Sequence, residues 1–293
     1  MMTVRKIGII GFGEVGGIFA RDLAAKGAAI AAFDTAPAAQ ARAGEACVAA
    51  AGAVSAVQDA QVVFVCVTAG SVLDAMQSLS PGLGHAPFVV DVNSVSPRTK
   101  QAAARIIEAA GGRYVEAAVM ASVPPKRLRT PILLGGPHAA DFMREMAPFG
   151  MDLTDFSAEI GRASSVKMCR SVMVKGLEAL ATECMLAARH YGVENDVLQT
   201  MDDTLPHPDW PDLARYLISR ALIHGKRRAE EMREVALMVE DAGIEPLLSR
   251  AISERQDWAW RHAADMGAAR NLPDLDGLLN ALTETVRLPR AAE

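Results

Sequence analysis

Aromatic residues are scarce in this chain: 3 Trp, 3 Tyr and 8 Phe make up 5% of 293 residues. Rings this few and scattered cannot build the stacking platform that single-stranded nucleic acid requires. An excess of positive charge is missing too. The net charge is −5, so no global field holds nucleic acid or an acidic membrane, and any anionic ligand must be met by local basic groups. The four cysteines, Cys47, Cys66, Cys169 and Cys184, show no C-x-x-C spacing and stand among apolar neighbours. They read as small core residues in a reducing compartment, with no disulfide staple and no metal site expected. No uninterrupted apolar run reaches the ~20 residues needed to span a bilayer. An apolar strand begins almost at the first methionine, which leaves no room for a signal peptide, and a cytoplasmic location is expected.

What the chain does have is an ordinary globular balance, 51% hydrophobic and 22% charged residues, with length for one large or two medium domains. Its most informative stretch is Lys6-Ile7-Gly8-Ile9-Ile10-Gly11-Phe12-Gly13-Glu14-Val15-Gly16. An apolar run ends in glycines at G-x-G-x-x-G spacing, and a helix-compatible segment follows. Gly11 allows the tight turn off the strand, and Gly13 lets backbone N–H groups approach a pyrophosphate. Gly16 lets the helix pack against the sheet with its positive end toward the phosphates. The turn residues Phe12, Glu14 and Val15 complete that candidate cofactor loop.

A second apolar run, Ala29-Ile30-Ala31-Ala32-Phe33, ends at Asp34. A carboxylate roughly 20 residues beyond the glycines can accept hydrogen bonds from the ribose hydroxyls of NAD and repels the extra phosphate of NADP. Thr35-Ala36-Pro37 follows with no arginine, so NAD is expected over NADP. The plainer alternative is an aspartate that caps a helix in an ordinary α/β unit.

Strand and helix patterns alternate through the first half. Buried strands are expected at residues 61–67 and 87–92, and further strands at 114–119 and 131–134. The helices between them include one that starts at Pro97 and runs to residue 110, and one over 138–147. The runs are continuously apolar, as in a parallel sheet covered on both faces. Around residues 152–158 the character changes, and no strand is expected beyond. Long helical patterns then cover 161–191, 213–239, 247–266 and 275–286, interrupted by a proline loop at 205–211 whose His207 and Trp210 can line a pocket mouth. The expected fold is α/β: an N-terminal doubly wound parallel sheet of the Rossmann type (residues 1–158), then an all-α domain (residues 159–293). The first long helix offers a surface for a homodimer or a higher homo-oligomer.

Lys167 stands two turns into that helix, with Ser164, Ser171, Val174 and Glu178 near its face by helical spacing. A buried lysine beside a cationic ring can act as proton acceptor; equally, a lysine there can snorkel from an amphipathic helix. The segment Asp91-Val92-Asn93-Ser94-Val95-Ser96-Pro97 puts short polar side chains after a strand's carboxyl end, where they can meet a ligand, while Ser96 can equally serve as a helix cap. Val67 and Thr68, at the end of the preceding strand, can contact the nicotinamide ribose. The charge cluster of residues 224–234 places His224, Arg228 and Glu231 on one helix face as candidate substrate contacts; the alternative is a solvated face with i,i+4 pairs. Lys126, Arg127 and Arg129 are further candidate anion holders, or surface charges.

The glycine turn, the acidic strand end and a helix carrying G-x-x-x-x-x-K (Gly161 to Lys167) together resemble the β-hydroxyacid dehydrogenase superfamily, which includes 3-hydroxyisobutyrate and 6-phosphogluconate dehydrogenases. The likeness spans nearly the whole chain, and it is strongest to bacterial relatives whose helical half carries an uncharacterised C-terminal domain. The resemblance implies an NAD-dependent oxidoreductase that moves a hydride between nicotinamide and a secondary alcohol, a 3-hydroxy acid or a derivative of one. By it, Lys167 takes or returns the proton, and Asn93 and Ser94 face substrate and nicotinamide. Two departures stand out. Met120-Ala121-Ser122 replaces the family's serine and paired glycines in the carboxylate-binding loop, which points to a bulkier or less polar substrate. Ser171 stands where the family has an asparagine. Two rival readings are an imine reductase of the same architecture, which Asp34 disfavours because those enzymes typically use NADP, and a non-catalytic dinucleotide-binding scaffold, which Lys167 disfavours.

Overall fold

Four consecutive β-branched and aromatic residues, Val62-Val63-Phe64-Val65, form strand β4 (Val62–Val65), and all four are buried. A strand apolar on both faces is stable only inside a sheet covered on both sides. The computed structural model, which describes Val4, residues 6–204 and residues 209–286, shows that arrangement. Strands β1 (Lys6–Ile10), β2 (Ala29–Phe33), β3 (Val48–Ala49), β4, β5 (Phe88–Asp91), β6 (Arg113–Val119), β7 (Ile132–Gly135) and β8 (Leu153–Ser157) join in one sheet, ordered β3-β2-β1-β4-β5-β6-β7-β8. Between them lie helices α1 (Glu14–Ala25), α2 (Pro37–Ala46), α3 (Ala53–Val57), α4 (Val72–Leu79), α5 (Pro97–Ala109), α6 (Val123–Lys126) and α7 (Ala139–Met146).

Successive residues feed two cores. Ile7, Ile9, Val62 and Phe64 point into one, with Phe19 and Phe142 stacked edge-on against Phe64 at 5.4 and 6.1 Å. Ile10, Val63, Val65 and Tyr114 point into the other. The sheet order reverses between β1 and β4; that switch point is where such folds hold nucleotides.

The sheet is mostly parallel, as expected; β7 alone runs antiparallel to its neighbour β6, while β8 is parallel to β7. The connection from β6 to β7 contains one short helix and a single 3-10 turn. A four-residue helix is too short to serve as the crossover that a parallel return requires. Strand β8 itself lies where no strand was expected. Its three central residues are exposed, so an edge strand carries none of the apolar signal on which sequence reading depends.

Helix α8 (Arg162–Tyr191) begins in the first of two compact units, Met1–Cys169, and continues into the second, Arg170–Glu293. The second unit adds α9 (Glu194–Thr204), α10 (Trp210–Asp241), α11 (Leu247–Met266) and α12 (Leu275–Val286). Its core includes Met185, Leu186, Ile218, Leu222, Ala259 and Leu279. The sequence reading missed α9, a polar helix in which, among the residues whose burial is described, Leu198 is the one fully in that core. Trp210 packs against the same core, which is its place in the fold; His207 lies outside the described residues. Among the described residues no helix is long and apolar enough to cross a membrane.

Candidate active site

Strand register brings the predicted residues of the first unit to one edge. Ile10 pairs with Phe33 and Val65, Val65 with Asp91, Asp91 with Glu116, and Glu116 with Gly135. Immediately beyond this row lie the glycine turn, Asp34, the Cys66-Val67-Thr68 segment and the Val92-Asn93-Ser94 segment. All of them leave the sheet at its carboxyl edge, where α/β folds bind ligands.

In the glycine turn, Gly11 has φ +92°, and a Cβ there would come within 2.3 Å of the Cys66 carbonyl oxygen. A Cβ on Gly16 would lie 2.0 Å from the Gly11 carbonyl oxygen, so α1 reaches the turn only because both residues are glycine. Gly13 differs: it is exposed, and nothing lies within 4 Å of the Cβ position. It begins α1 with no side-chain cap, and the N–H groups of Glu14, Val15 and Gly16 are the helix's orphan donors. An open glycine platform at an uncapped helix N-terminus fits a dinucleotide's phosphates. The buried Phe12 ring belongs to the core, but its N–H donates to Asp34 Oδ2 at 2.6 Å. Ala36 N–H donates to Asp34 Oδ1 at 2.8 Å. Two backbone donors thus fix a half-buried carboxylate whose remaining lone pairs can accept from ribose hydroxyls.

Asp91, at the end of β5, is fully buried and organises the next loop. Its Oδ1 accepts from Asn93 N (3.0 Å) and Asn93 Nδ2 (2.7 Å), and Tyr114 Oη donates to Oδ2 (2.8 Å). Lys100, from α5, lies 3.0 Å from Oδ1 and also donates to the Asp91 carbonyl. Burial and the neighbouring Asp91 carboxylate hold the Tyr114 phenol well above its ordinary pKa, so it stays a donor. Asn93 is thereby locked by a network built from β5, α5 and β6, and Ser94 is half-buried beside it. Ser96 caps α5 by accepting from Thr99 N. Thr68 Oγ1 is exposed, 3.2 Å from Ser71 Oγ. Sequence reading found Asn93 but not the Asp91–Lys100–Tyr114 frame, because a lysine three residues into an amphipathic helix gives no sign of being fully buried.

Glu116 was the larger omission. It is fully buried, and its carboxylate accepts Gly161 N–H and Ser164 N–H, both at 2.6 Å. Charge-assisted bonds to a helix N-terminus are among the stronger ones. Gly135 makes room for them: a Cβ there would lie 2.5 Å from Glu116 Oε2. Gly161 (φ +107°) packs on Pro97, and Gln101 Nε2 donates to the Ile160 carbonyl. The start of α8 is therefore fastened to β6 and α5, and the half-buried Lys167 follows Ser164 by one turn. Met120 N donates to the Pro131 carbonyl; Met120 is half-buried, whereas Ala121 and Ser122 are exposed.

The second unit holds the remaining predicted residues in an internal ion network. Lys175 Nζ lies 2.8 Å from Glu231 Oε2 and donates to Ser171 Oγ, Arg227 pairs with Glu231, and Arg228 pairs with Glu178 at 2.6 Å. Gln256 Nε2 donates to Glu178 Oε2. Arg228 and Glu231 are buried, and their charges are met by α8. Burial, reinforced by Arg220, Arg227 and Arg228, lowers the half-buried His224 to about 4. Arg127 pairs with Asp22 on the surface. The expectation of four core cysteines is corrected for two of them: Cys169 and Cys184 are exposed on α8, while Cys47 and Cys66 are half-buried. No three His, Cys, Asp or Glu side chains among the described residues are grouped to hold a metal.

Residues 6–149 match the NAD binding domain of 6-phosphogluconate dehydrogenase, and residues 188–259 match a domain of unknown function, DUF1932. A conserved hypothetical protein from Sinorhizobium meliloti is 36% identical, with 97% of each chain covered and a TM-score of 0.74. A conserved protein of unknown function, described as structurally similar to 3-hydroxyacid dehydrogenases, is 31% identical over 90% of this chain and 100% of its own, with a TM-score of 0.68. The Mycobacterium tuberculosis 3-hydroxyisobutyrate dehydrogenase shares the fold at 17% identity over 96% of this chain and 99% of its own, also with a TM-score of 0.68. The chain belongs to the 3-hydroxyacid and 6-phosphogluconate dehydrogenase-like family, in the branch that joins an NAD-binding domain to a helical domain of unknown function.

Proposed function

We propose that the protein is a dehydrogenase that prefers NAD and acts on a secondary alcohol, a 3-hydroxy acid or a derivative, with Lys167 as the proton-transfer group. The observation that carries this reading is the fastening of α8 by Glu116 on the same strand row that ends in the glycine turn and Asp91. A tether at the start of α8 restrains the turn that carries Lys167, which supports a positioned amine, and a buried acid is a costly way to build anything less specific.

Gly11 to Gly16 and Asp34 hold the dinucleotide in this reading, with Val67 and Thr68 beside the nicotinamide ribose. The nicotinamide supplies a hydride acceptor, so the protein itself has only to orient the alcohol and take its proton. Lys167 accepts that proton as a neutral amine and returns it in the reverse direction. Asn93, held by Asp91, and Ser94 offer hydrogen bonds to the substrate; Met120, Ala121 and Ser122 give its head group a less polar neighbour. Arg228 and Glu231 serve first to hold α10 to α8, through Glu178 and Lys175, and Ser171 accepts from that same lysine; His224 stands beside them on α10.

Two copies of the chain associate through the exposed apolar residues of α8, among them Met173 and Leu180 (66% and 67% exposed). To test the function, purified protein is offered 3-hydroxy acids, β-keto compounds and cyclic imines while NADH and NADPH absorbance is followed. Turnover of hydroxy or keto acids with NAD(H) supports the reading. Turnover of imines alone, or of nothing despite nucleotide binding, overturns it in favour of an imine reductase or a scaffold.

A further inference from the structure

We propose, on the dinucleotide part of the reading above, that Asn93 recognises the carboxamide of the nicotinamide ring and does so only as a hydrogen-bond acceptor. Asn93 stands two residues beyond β5 and is 5% exposed. Its side chain has a donor end and an acceptor end, and the donor end is taken. Nδ2 donates to Asp91 Oδ1 at 2.7 Å, and the Asn93 backbone N–H donates to the same oxygen at 3.0 Å. The opposite orientation of the amide would set its carbonyl oxygen against a carboxylate oxygen, so chemistry excludes it. Asp91 cannot turn away, because Lys100 Nζ stands 3.0 Å from Oδ1 and Tyr114 Oη donates to Oδ2 at 2.8 Å. Asp91, Lys100 and Tyr114 are all fully buried. What is left for a ligand is Asn93 Oδ1, which meets no donor among the described residues and is not enclosed. Such an oxygen suits a ligand that brings an N–H or O–H.

Strand order decides which donor arrives. The glycine turn follows β1 and Asp34 follows β2, on one side of the switch point between β1 and β4. A dinucleotide laid across that point brings its second half over the carboxyl ends of β4 and β5, and Asn93 is part of the loop that leaves β5. The nicotinamide ring has one hydrogen-bonding substituent, the carboxamide, whose NH2 offers two donors. Asn93 Oδ1 has two lone pairs. One accepts from the carboxamide N–H, and the other is left for a substrate hydroxyl. An N–H held there restricts rotation of the ring about its bond to the ribose. The same oxygen repels a carboxylate, so the acid group of a substrate is kept away from Asn93.

Three dinucleotides that differ only in this substituent test the assignment on the full chain by isothermal titration calorimetry: NAD, its 3-acetylpyridine analogue and its nicotinic acid analogue. The acetyl group keeps the carbonyl and puts a methyl in place of the NH2; the acid puts a negative oxygen there. The unaltered protein should bind NAD about fivefold more tightly than the acetylpyridine analogue, the worth of one hydrogen bond between neutral groups. It should bind the nicotinic acid analogue more weakly still. In Asn93→Ala the preference for NAD over the acetylpyridine analogue should vanish, and the nicotinic acid analogue should gain on both. The comparisons on the unaltered protein hold even where that variant fails to fold. Equal binding of NAD and either analogue by the unaltered protein would overturn the assignment, and so would a preference that keeps its full size in folded Asn93→Ala. Failure to bind any of the three would overturn the cofactor reading itself, so the two failures are told apart.

Discussion

The Glu116 carboxylate accepts the backbone N–H of Ser164 at 2.6 Å across 48 residues of sequence, and with it the N–H of Gly161. One buried acid thereby satisfies two donors at the start of the helix that carries Lys167. Replacing Glu116 by Ala leaves both donors orphaned and opens a cavity, for a loss of about 3 kcal/mol in unfolding free energy. Glu116→Gln keeps an acceptor but loses the charge and should cost about half as much. Urea denaturation of both variants checks the order; equal stability of all three proteins would remove the tether from the account.

The glycine turn predicts opposite fates for two alanine substitutions. In Gly16→Ala the new Cβ meets the Gly11 carbonyl at 2.0 Å, so the protein should be destabilised by roughly 3 kcal/mol or fail to fold. In Gly13→Ala nothing stands within 4 Å of the Cβ, so the fold should survive while dinucleotide affinity falls about tenfold or more, ~1.4 kcal/mol. Thermal unfolding and fluorescence titration of NADH separate the two. A Gly13→Ala protein that binds as tightly as the original would move the phosphates elsewhere.

Asp34→Asn retains an acceptor for Phe12 N–H while removing the charge. The ratio of NAD to NADP affinity should fall about tenfold, chiefly because NADP is no longer repelled. Parallel titrations with NADH and NADPH measure it, and an unchanged ratio would reject Asp34 as the selecting group.

His224 provides a pH signature. Its folded pKa is lowered to about 4 from 6.5, first by burial and then by Arg220 and Arg227. Above pH 6.5 both states hold a neutral imidazole and the residue contributes nothing. Between pH 6.5 and 4 the unfolded chain binds the proton and the folded one does not, so stability falls as pH falls through that window. With allowance for partial solvent exposure the loss is about 1–2 kcal/mol. Denaturant midpoints from pH 7 to 4 should show a shallower decline in His224→Gln; identical slopes would contradict the assigned cause.

What was legible in the sequence follows the range of the interactions. The glycine turn and Asp34 answer to local rules, since a pyrophosphate needs backbone within reach and a strand–turn–helix around it. Lys167 was marked by family resemblance more than by spacing. Glu116 was read only as part of a loop that departs from the family pattern, because its partners lie 45 and 48 residues away and no periodicity connects them. Lys100 looked like any helix lysine until the fold set it against Asp91. Strand β8 and helix α9 escaped notice for a related reason: each presents too little apolar surface to its neighbours to mark the sequence. Arg228 and Glu231 share a helix face by spacing, but the ions they meet, Glu178 and Lys175, stand on α8, and helical spacing within α10 contains no record of that.

The central claim is that Lys167 transfers the proton while the first unit holds the dinucleotide on its own. Single-turnover kinetics of Lys167→Ala, with a substrate identified from the panel, tests it most directly. The account predicts NADH affinity within about twofold of the original and a rate lower by roughly 10²–10⁴, partly restored at higher pH as solvent base replaces the amine. A rate equal to that of the unaltered protein would contradict it.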